Sequence, residues 1–466
     1  MAEKATPRSV ADEREVPRFA SIIGLGFGDC GKGLFTDFLT RRWKAHTVVR
    51  FNGGAQAGHN VVTPDGRHHT FSQFAAGSFV PGTLTVLSEP VVVHPTALLV
   101  ENEYLKRVGI GDGLDRIRID ARCRVTTPFH QAAGRLREWN RGRARHGSCG
   151  VGVGETVKYS IEHPDSTLRY ADLTRDSHAI DKLHEIQRNL LAEFGAHPEP
   201  EEAEPRRDFE LLHDKNMARE WMDQCRVLIS AVAPASHAAL SQRIHKPGCV
   251  LFEGAQGILL DEWRGFHPYT SWSSVGGNAL DALAASWELP EAIQHFGVLR
   301  SYLTRHGPGP MPSYDPALSS FPEPHNANND WQGPFFRGHP DEVLLRYALA
   351  CAGSLTGLLI SHLDIFENGK SLRWCEGYRT PVEAIDEALC ERRDDGVVTS
   401  LKVPAILILE HQARLTRLLE QSDAVYASKR IDAAPQFLER LGDVSGLPVC
   451  FAAYGNTAER VGPPIV

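Results

Sequence analysis

Residues 19–62 read FASIIGLGFGDCGKGLFTDFLTRRWKAHTVVRFNGGAQAGHNVV, and their order predicts a strand, a glycine-rich turn and a helix. An apolar run at residues 21–23 enters the turn at residues 24–33, and a helix-like segment at residues 34–43 leaves it. Glycines let successive backbone N–H groups converge on an anion, and the helix N-terminus adds partial positive charge at the same point. The stretch therefore predicts a phosphate-binding loop, and the alternative is a tight connection that binds nothing.

The spacing inside this turn supports the phosphate-loop prediction. Gly26, Gly31 and Lys32 match the G-x-x-x-x-G-K pattern, in which the lysine reaches a terminal phosphate. Gly33 stands where a Ser or Thr hydroxyl normally holds a magnesium ion. The metal ligand must then come from elsewhere, and Asp29 is the carboxylate inside the loop.

A second glycine cluster, residues 53–59 (GGAQAGH), follows another strand-like run at residues 48–51. It repeats the first arrangement and ends in a titratable histidine, His59. The near-neutral pKa of a histidine suits proton transfer. Two such loops in succession weaken the alternative of a plain turn.

Composition limits the class of protein. The chain has 466 residues, a formal charge of −8 and a pI near 6.2, which argues against nucleic acid as an obligatory partner. No window approaches the ~18 consecutive apolar residues of a membrane span. Residues 1–18 lack the apolar middle of a signal peptide, and we predict a disordered tail there.

The nine cysteines are scattered without C-x-x-C pairs. This pattern indicates reduced thiols and predicts a cytoplasmic location. Cys30, beside the phosphate-loop lysine, is the exception to consider. Either its pKa is lowered by that environment, or, as we predict, it is a small residue that fills the loop.

Strand-like and helix-like segments alternate along the chain, which predicts an α/β fold with a large, mainly parallel central sheet flanked by helices. The phosphate loop makes this fold phosphate-loop NTPase-like, with helical and loop insertions. Residues 197–207 (HPEPEEAEPRR) form the most linker-like stretch. Small and polar residues recur after strand-like runs, where the carboxyl edge of a parallel sheet faces a ligand crevice.

Several of these stretches resemble the adenylosuccinate synthetase family, which joins aspartate to a 6-oxopurine nucleotide with GTP. They run in the family's order over nearly the whole chain after the N-terminal tail: GDCGKG (28–33), VVRFNGGAQAGH (48–59), HPTALL (94–99), LFEGAQGILLD (251–261), PYTS (268–271), YLTRHGPGPMP (302–312), SHLD (361–364) and SGLPV (445–449). The resemblance implies one domain over residues 19–466, with a helical insertion at about residues 131–225.

The resemblance also implies roles in catalysis. The family phosphorylates O6 of the purine with GTP and then lets the aspartate amine displace phosphate. Asp29 would accept the N1 proton and bind Mg²⁺, with the Gly58 carbonyl as a further metal ligand. His59 would hydrogen-bond the transferring phosphoryl group, and Lys32 would neutralise charge on the phosphates.

The remaining site residues follow from the same resemblance. Asp364 would accept hydrogen bonds from guanine, although a carboxylate at a strand end can also cap the following helix. Arg305 lies in the matching T-R-x-G-x-G-P segment and is favoured over Arg300 as a ligand contact, while both could be plain ion-pair partners. The nucleotide-binding residues are Gly28, Cys30, Gly31, Gly33, Gln56, Ala57, Gly58, Cys149, Gln256, Thr270, Ser271, Arg305, His362, Asp364, Gly455 and Asn456.

The sequence departs from the family's pattern around the amino acid. The family's aspartate loop is rich in Thr and Arg, but residues 328–338 read NNDWQGPFFRG and leave Arg337 as the arginine and Asp330 near the site. A dicarboxylic amino acid needs forked cationic partners. The acceptor-phosphate loop reads GSCGVG at residues 147–152, and His362 replaces a lysine.

The predicted function is therefore a GTP-dependent ligase that converts an IMP-like nucleotide and aspartate to adenylosuccinate, as a homodimer. The alternatives are a deoxy or modified purine acceptor, another amino acid, or ATP as donor. A nucleotide-dependent switch ATPase would not need the acceptor-side segments, and a catalytically silent regulator would not need Asp29, Lys32 and His59.

Overall fold

A computed structural model of the chain describes residues 16–194, 199–324, 326, 331–381 and 386–465. The strands are β1 (Phe19–Gly24), β2 (Thr47–Arg50), β3 (His59–Val62), β4 (His68–Phe71), β5 (Leu84–Leu87), β6 (Val92–Val93), β7 (Ile117–Asp120), β8 (Arg124–Val125), β9 (Pro234–Ala235), β10 (Val250–Gly257), β11 (Gln294–Arg300), β12 (Leu303–His306), β13 (Phe335–Gly338), β14 (Gly357–Ser361), β15 (Leu372–Arg379), β16 (Cys390–Arg392), β17 (Val398–Leu401), β18 (Asp423–Ile431), β19 (Val449–Ala453) and β20 (Val461–Gly462).

The helices alternate with these strands through much of the chain. They are α1 (Lys32–Arg42), α2 (Pro95–Arg107), α3 (Pro128–Asn140), α4 (Val153–Glu162), α5 (Asp176–Phe194), α6 (Ala203–His213), α7 (Met217–Ala231), α8 (His237–Ile244), α9 (Gly277–Ser286), α10 (Glu342–Ala352), α11 (Asp364–Glu367), α12 (Leu409–Glu420) and α13 (Ala434–Ser445). Among the described residues, no helix is both long and apolar enough to span a bilayer.

The central sheet has ten strands in the spatial order β20-β19-β14-β11-β1-β10-β2-β5-β7-β9. All neighbouring strands run parallel except β19 and β20, which pair antiparallel at one edge. This architecture confirms the predicted α/β fold with a mainly parallel sheet. Because the central strands are parallel, the loops that leave their carboxyl ends meet along one edge of the sheet.

Both faces of the sheet are covered by helices, which explains the continuous apolar runs of its strands. Side chains alternate between the faces along a strand. Ile22 of β1 therefore packs on the α1 side with Phe35, while the next residue, Ile23, packs on the opposite face with Trp287. This burial fixes α1 against the sheet at the point where the glycine-rich turn ends.

Two sequence predictions about the periphery can be compared with the structure. Helices α3 to α7 lie between β8 and β9 in the chain, over nearly the stretch predicted as a helical insertion. The predicted linker at residues 197–207 is partly helical, because α6 begins at Ala203. Most of the predicted tail, together with residues 197 and 198, falls outside the described residues.

Helix α10 begins at a buried carboxylate. Asp341 is the N-cap and accepts hydrogen bonds from the Leu344 N–H at 3.1 Å and the Tyr378 hydroxyl at 2.7 Å. Burial raises the pKa of Asp341 to about 6. In the folded state this carboxyl therefore holds its proton to higher pH than in the unfolded chain, where its pKa is about 3.9. Its contribution to stability is fully present below the unfolded pKa and is lost as pH rises through the folded pKa.

We predict that Asp341→Asn removes this part of the pH dependence, because an asparagine can still cap the helix without becoming charged. From pH 5 to pH 8 the free energy of unfolding should fall by about 1 kcal/mol more in the wild type than in the variant. Urea unfolding at both pH values measures the difference. Asp395→Asn is the control, since that exposed carboxylate has a lowered pKa and stays ionised throughout this range. Equal pH dependence in wild type and Asp341→Asn would contradict the assignment.

Candidate active site

The glycine-rich turn after β1 forms a loop closed by α1. Gly31 is the N-cap of α1 at φ 94°, and a side chain there would meet the Ser361 Oγ at 2.8 Å. The Ser361 hydroxyl in turn donates to the Cys30 carbonyl at 3.0 Å, which ties the loop to the end of β14. The buried Lys32 ammonium donates to the Gly28 carbonyl and so places its charge inside the loop.

Gly33 has a structural reason to lack a side chain. A Cβ at this position would lie 2.6 Å from the Asn60 carbonyl oxygen and 3.0 Å from the His59 carbonyl carbon. Helix α1 thus packs directly against the start of β3, which excludes the Ser or Thr of the usual phosphate-loop pattern.

Cys30 is buried, and burial raises the pKa of its thiol. The thiol is therefore protonated at neutral pH, and the structure favours the prediction of a small residue that fills the loop. Burial likewise raises the pKa of the Cys149 thiol in the loop before α4.

Asp29 points from the phosphate loop towards β11. Its Oδ2 accepts hydrogen bonds at 2.5 Å from both the Arg300 guanidinium and the Asn326 amide. Although burial works to raise it, the Arg300 charge holds the pKa of Asp29 at about 2. The carboxylate is therefore ionised at neutral pH. Its Oδ1 accepts no hydrogen bond from any residue that the structure describes.

His59 is held by a buried carboxylate that the sequence analysis did not single out. Glu253, in the middle of β10, accepts from His59 Nδ1 at 2.5 Å and from the Ala76 N–H at 3.0 Å. Burial lowers the pKa of His59, an effect that the Glu253 charge opposes. Although burial works to raise it, the His59 and Arg50 charges keep the pKa of Glu253 below its ordinary value. The ionised Glu253 therefore fixes the proton on Nδ1 and the orientation of the ring.

One cavity of about 940 Å³ joins these loops at the carboxyl edge of the sheet. Its lining brings together all of the predicted site residues but one: Gly28, Asp29, Cys30, Gly31, Lys32, Gly33, Gln56, Ala57, Gly58, His59, Cys149, Gln256, Thr270, Ser271, Arg305, His362, Asp364, Gly455 and Asn456. Within the described chain, both amide atoms of Gln256 and the Oε1 of Gln56 are buried without hydrogen-bond partners. These amides can bind a polar ligand in the cavity.

Arg337 is the predicted residue that the cavity does not include. It pairs with Thr304 across the antiparallel strands β12 and β13, and its guanidinium lies 5.1 Å from the centre of the Phe335 ring. Trp331, also from this segment, lies beneath the Arg135 guanidinium at 5.1 Å. Asp330, predicted near the site, lies outside the described residues.

Cations in the cavity lining differ in how far their charge is already neutralised. Arg300 pairs with both Asp29 and Glu323. Arg305 hydrogen-bonds the Pro308 and Pro310 carbonyls and packs 4.4 Å from the centre of the Phe27 ring. Burial lowers the pKa of Arg305 to about 9, so it remains charged at neutral pH. Among the described residues, no carboxylate lies within ion-pair distance of it, and its charge can bind an anion.

Two residues that follow β14 also line the cavity at the carboxyl edge of the sheet. Asp364 is the first residue of α11, the N-cap is Leu363, and no side chain caps this helix. The carboxylate is therefore not used as a cap, and burial raises its pKa. His362 adopts a left-handed backbone conformation at φ 62°, and burial lowers its pKa to about 3. Its ring is neutral at physiological pH.

Metal binding at this edge would rely on few protein ligands. The described residues contain no group of three or more His, Cys, Asp or Glu side chains that could hold a metal ion. The open Oδ1 of the ionised Asp29 and nearby backbone carbonyls are hard oxygen donors, which suit Mg²⁺, an ion usually held by one or two carboxylates with substrate phosphates.

Comparison with known proteins gives a consistent result. A family model described as adenylosuccinate synthetase matches residues 21–457. The chain is 30% identical over 368 residues to an adenylosuccinate synthetase of Magnetococcus marinus, covering 77% of this chain and 80% of the relative. It is 29% identical over 445 residues to that of Alkalilimnicola ehrlichii, covering 93% and 95%.

Solved structures of two enzymes share the fold. The fully ligated adenylosuccinate synthetase of Plasmodium falciparum aligns over 96% of this chain and 99% of its own, with a TM-score of 0.74 and 18% identity. The succinoaminodeoxyadenylate synthetase of cyanophage S-2L, bound to dGMP and dATP, aligns over 97% of both chains, with a TM-score of 0.56 and 15% identity.

The packing at Gly33 generates a prediction. Gly33→Ser should not supply a metal ligand; it should instead destabilise the protein by about 1–3 kcal/mol, because the new side chain overlaps the backbone of β3. The control is Gly442→Ser in α13, where a Cβ meets no atom within 4 Å and where the change should stay within about 0.5 kcal/mol. Urea unfolding measures both. A Gly33→Ser variant of wild-type stability with tighter Mg²⁺-dependent nucleotide binding would show that this packing argument is wrong.

Proposed function

The chain belongs to the adenylosuccinate synthetase family, whose members are ligases that form a C–N bond in GTP-dependent synthesis of adenylosuccinate, and we propose residue roles for that reaction here. The predicted ligase class is confirmed by this membership. The observation that carries the proposal is that one cavity receives both glycine loops and the acceptor-side segments containing Gln256 and Thr270. A switch ATPase would need only the first of these parts.

In the proposed first step, O6 of the 6-oxopurine attacks the γ-phosphorus of GTP and GDP leaves. Asp29 accepts the N1 proton, which makes O6 nucleophilic; its lowered pKa means that the carboxylate is ionised, and so able to accept a proton, at neutral pH. Lys32 neutralises phosphate charge from inside the loop. Transfer of this kind depends mainly on positioning and on neutralising charge.

His59 contacts the transferring phosphoryl group in this proposal. Glu253 accepts from Nδ1, so Nε2, which lies 3.2 Å from the Ala255 carbonyl oxygen, is the nitrogen that would donate to the ligand once the ring is protonated. In the second step the amine of the amino acid attacks C6, and phosphate leaves with the former O6. Glu253 acts on this chemistry through the orientation of the His59 ring.

Asp29 and the Gly58 carbonyl are the residues that would hold Mg²⁺. When bound, the ion would supply positive charge that neutralises phosphate oxygens. The Oδ1 of Asp29 is the oxygen that its protein hydrogen bonds leave open for this role.

Asp364 is proposed to accept hydrogen bonds from the two N–H groups on the edge of guanine. Its position in the cavity and the absence of a capping bond support this role. Adenine presents an acceptor nitrogen on the equivalent edge, which a carboxylate would repel. We therefore keep GTP as donor, and, following the family, a homodimer in the cytoplasm with residues 19–466 as one domain.

A different amino acid in place of aspartate is a second candidate, and the cations of the cavity favour it. Of the three Lys and Arg residues that line the described cavity, Lys32 serves the phosphate loop and Arg300 is paired with two carboxylates. Arg305 alone remains for the acceptor phosphate and for any carboxylate of the amine. Two carboxylates normally require more guanidinium contacts than this.

The proposed function predicts a new nucleotide in a defined reaction. We expect purified protein with IMP, GTP and Mg²⁺ to release phosphate and form adenylosuccinate when aspartate is added, detected by mass spectrometry. ATP as donor, dGMP as acceptor and a pool of the other amino acids are tested in parallel. An adduct with another amino acid but not with aspartate would favour the second candidate. No adduct with any amine, from IMP or dGMP, would contradict the ligase proposal.

The role of Asp29 as base gives a separate prediction. Asp29→Asn should lower kcat by roughly 10²–10⁴-fold, the usual contribution of a general base. Asp395→Asn, a change on an exposed carboxylate, should leave kcat unchanged. Full activity of Asp29→Asn would exclude it as the base.

A further inference from the structure

Asp29 belongs to a closed ring of hydrogen bonds with three other side chains. Its Oδ2 contacts Arg300 and Asn326, each at 2.5 Å. Arg300 extends its other terminal nitrogen to Glu323 Oε1, and the Asn326 amide also donates to Glu323 Oε2 at 2.8 Å. Glu323 and Arg300 are each only 4% exposed at the side chain, whereas Asp29 is 24% exposed. The ring is thus buried on the Glu323 side and open on the Asp29 side.

Both carboxylate oxygens of Glu323 already accept hydrogen bonds from described side chains. Its Oε1 accepts from Arg300 and from the Tyr302 hydroxyl at 2.6 Å, and its Oε2 accepts from Asn326. The guanidinium of Arg300 is also packed over the Tyr302 ring, at 5.5 Å from its centre. A buried carboxylate with both oxygens occupied acts through its partners.

The way Arg300 meets Asp29 differs from the pairing of an arginine with a single carboxylate. In α1, Arg41 contacts both oxygens of Asp37, at 2.8 and 2.9 Å, which is the usual forked geometry. Arg300 is divided between two carboxylates, so that only one of its nitrogens reaches Asp29 and only at Oδ2. The Thr304 hydroxyl also anchors the Asp29 backbone by donating to its carbonyl at 2.9 Å.

From this geometry we infer that Glu323 is a positioning residue: by holding one arm of Arg300, it prevents the guanidinium from closing on both oxygens of Asp29 and keeps Oδ1 presented to the cavity. The inference rests on the proposed function, in which Asp29 is the base and a metal ligand. Without the Glu323 charge, Arg300 can adopt the forked geometry seen at Asp37, and Oδ1 is then occupied. The oxygen that serves the reaction is lost although Asp29 itself is intact.

The test is steady-state kinetics of Glu323→Gln with the acceptor and donor nucleotides. We expect kcat to fall roughly 10- to 100-fold, as for a misplaced catalytic group, while KM for both nucleotides changes by less than about threefold. Glu323→Asp, which keeps the charge, should recover part of the lost kcat. The matched control is Glu376→Gln, because Glu376 also shares one arginine, Arg440, with a second carboxylate but does not line the cavity; its kcat should equal that of the wild type.

A double variant separates this role from simple stabilisation. If Glu323 acts by restraining Arg300, the double variant Arg300→Met/Glu323→Gln should have a kcat no lower than that of Glu323→Gln alone. The proposal would be overturned if the kcat losses of the two single variants multiply in the double variant. It would also be overturned if the kcat of Glu323→Gln lies within twofold of the wild-type value, or if Glu323→Gln changes only KM. If Glu323→Gln does not fold, Tyr302→Phe removes one hydrogen bond to Glu323 and should still lower kcat about two- to fivefold at unchanged KM. An inactive wild-type enzyme would contradict the proposed function as well, whereas an active wild type with an unaffected Glu323→Gln contradicts only this inference.

Discussion

A charged side chain that becomes buried at the edge of the sheet needs a partner, because an unpaired buried ion lowers the free energy of unfolding by several kcal/mol. Two sets of polar contacts around buried carboxylates satisfy that requirement: Glu253 accepts from His59, and Arg300 pairs with Asp29 and Glu323. Each set joins a glycine loop to a different strand of the central sheet. Compensation of charge therefore also determines where the reactive atoms point.

The parts of the site that are local in sequence could be predicted from it. Glycine spacing identifies the phosphate loop, and a strand followed by a second glycine cluster identifies His59. The fold follows from the alternation of apolar runs with helical segments, which burial on both faces of a parallel sheet requires. These features depend on residues that are neighbours in the chain.

The compensating partners could not be predicted in the same way, because they are distant in sequence. Glu253 lies 194 residues from His59, and Arg300 lies 271 residues from Asp29. One signal for Glu253 was present: a carboxylate inside an eight-residue strand that is buried throughout must have a partner. Arg337 shows the converse difficulty: its place in the loop that corresponds to the family's aspartate loop does not reveal that the side chain packs on Phe335.

The contact between α1 and β3 at Gly33 has a consequence for how the two glycine loops can move. Because the backbone of β3 lies against the first turn of α1, the phosphate loop and the His59 loop form one mechanical unit. A displacement of one loop would therefore strain its contact with the other.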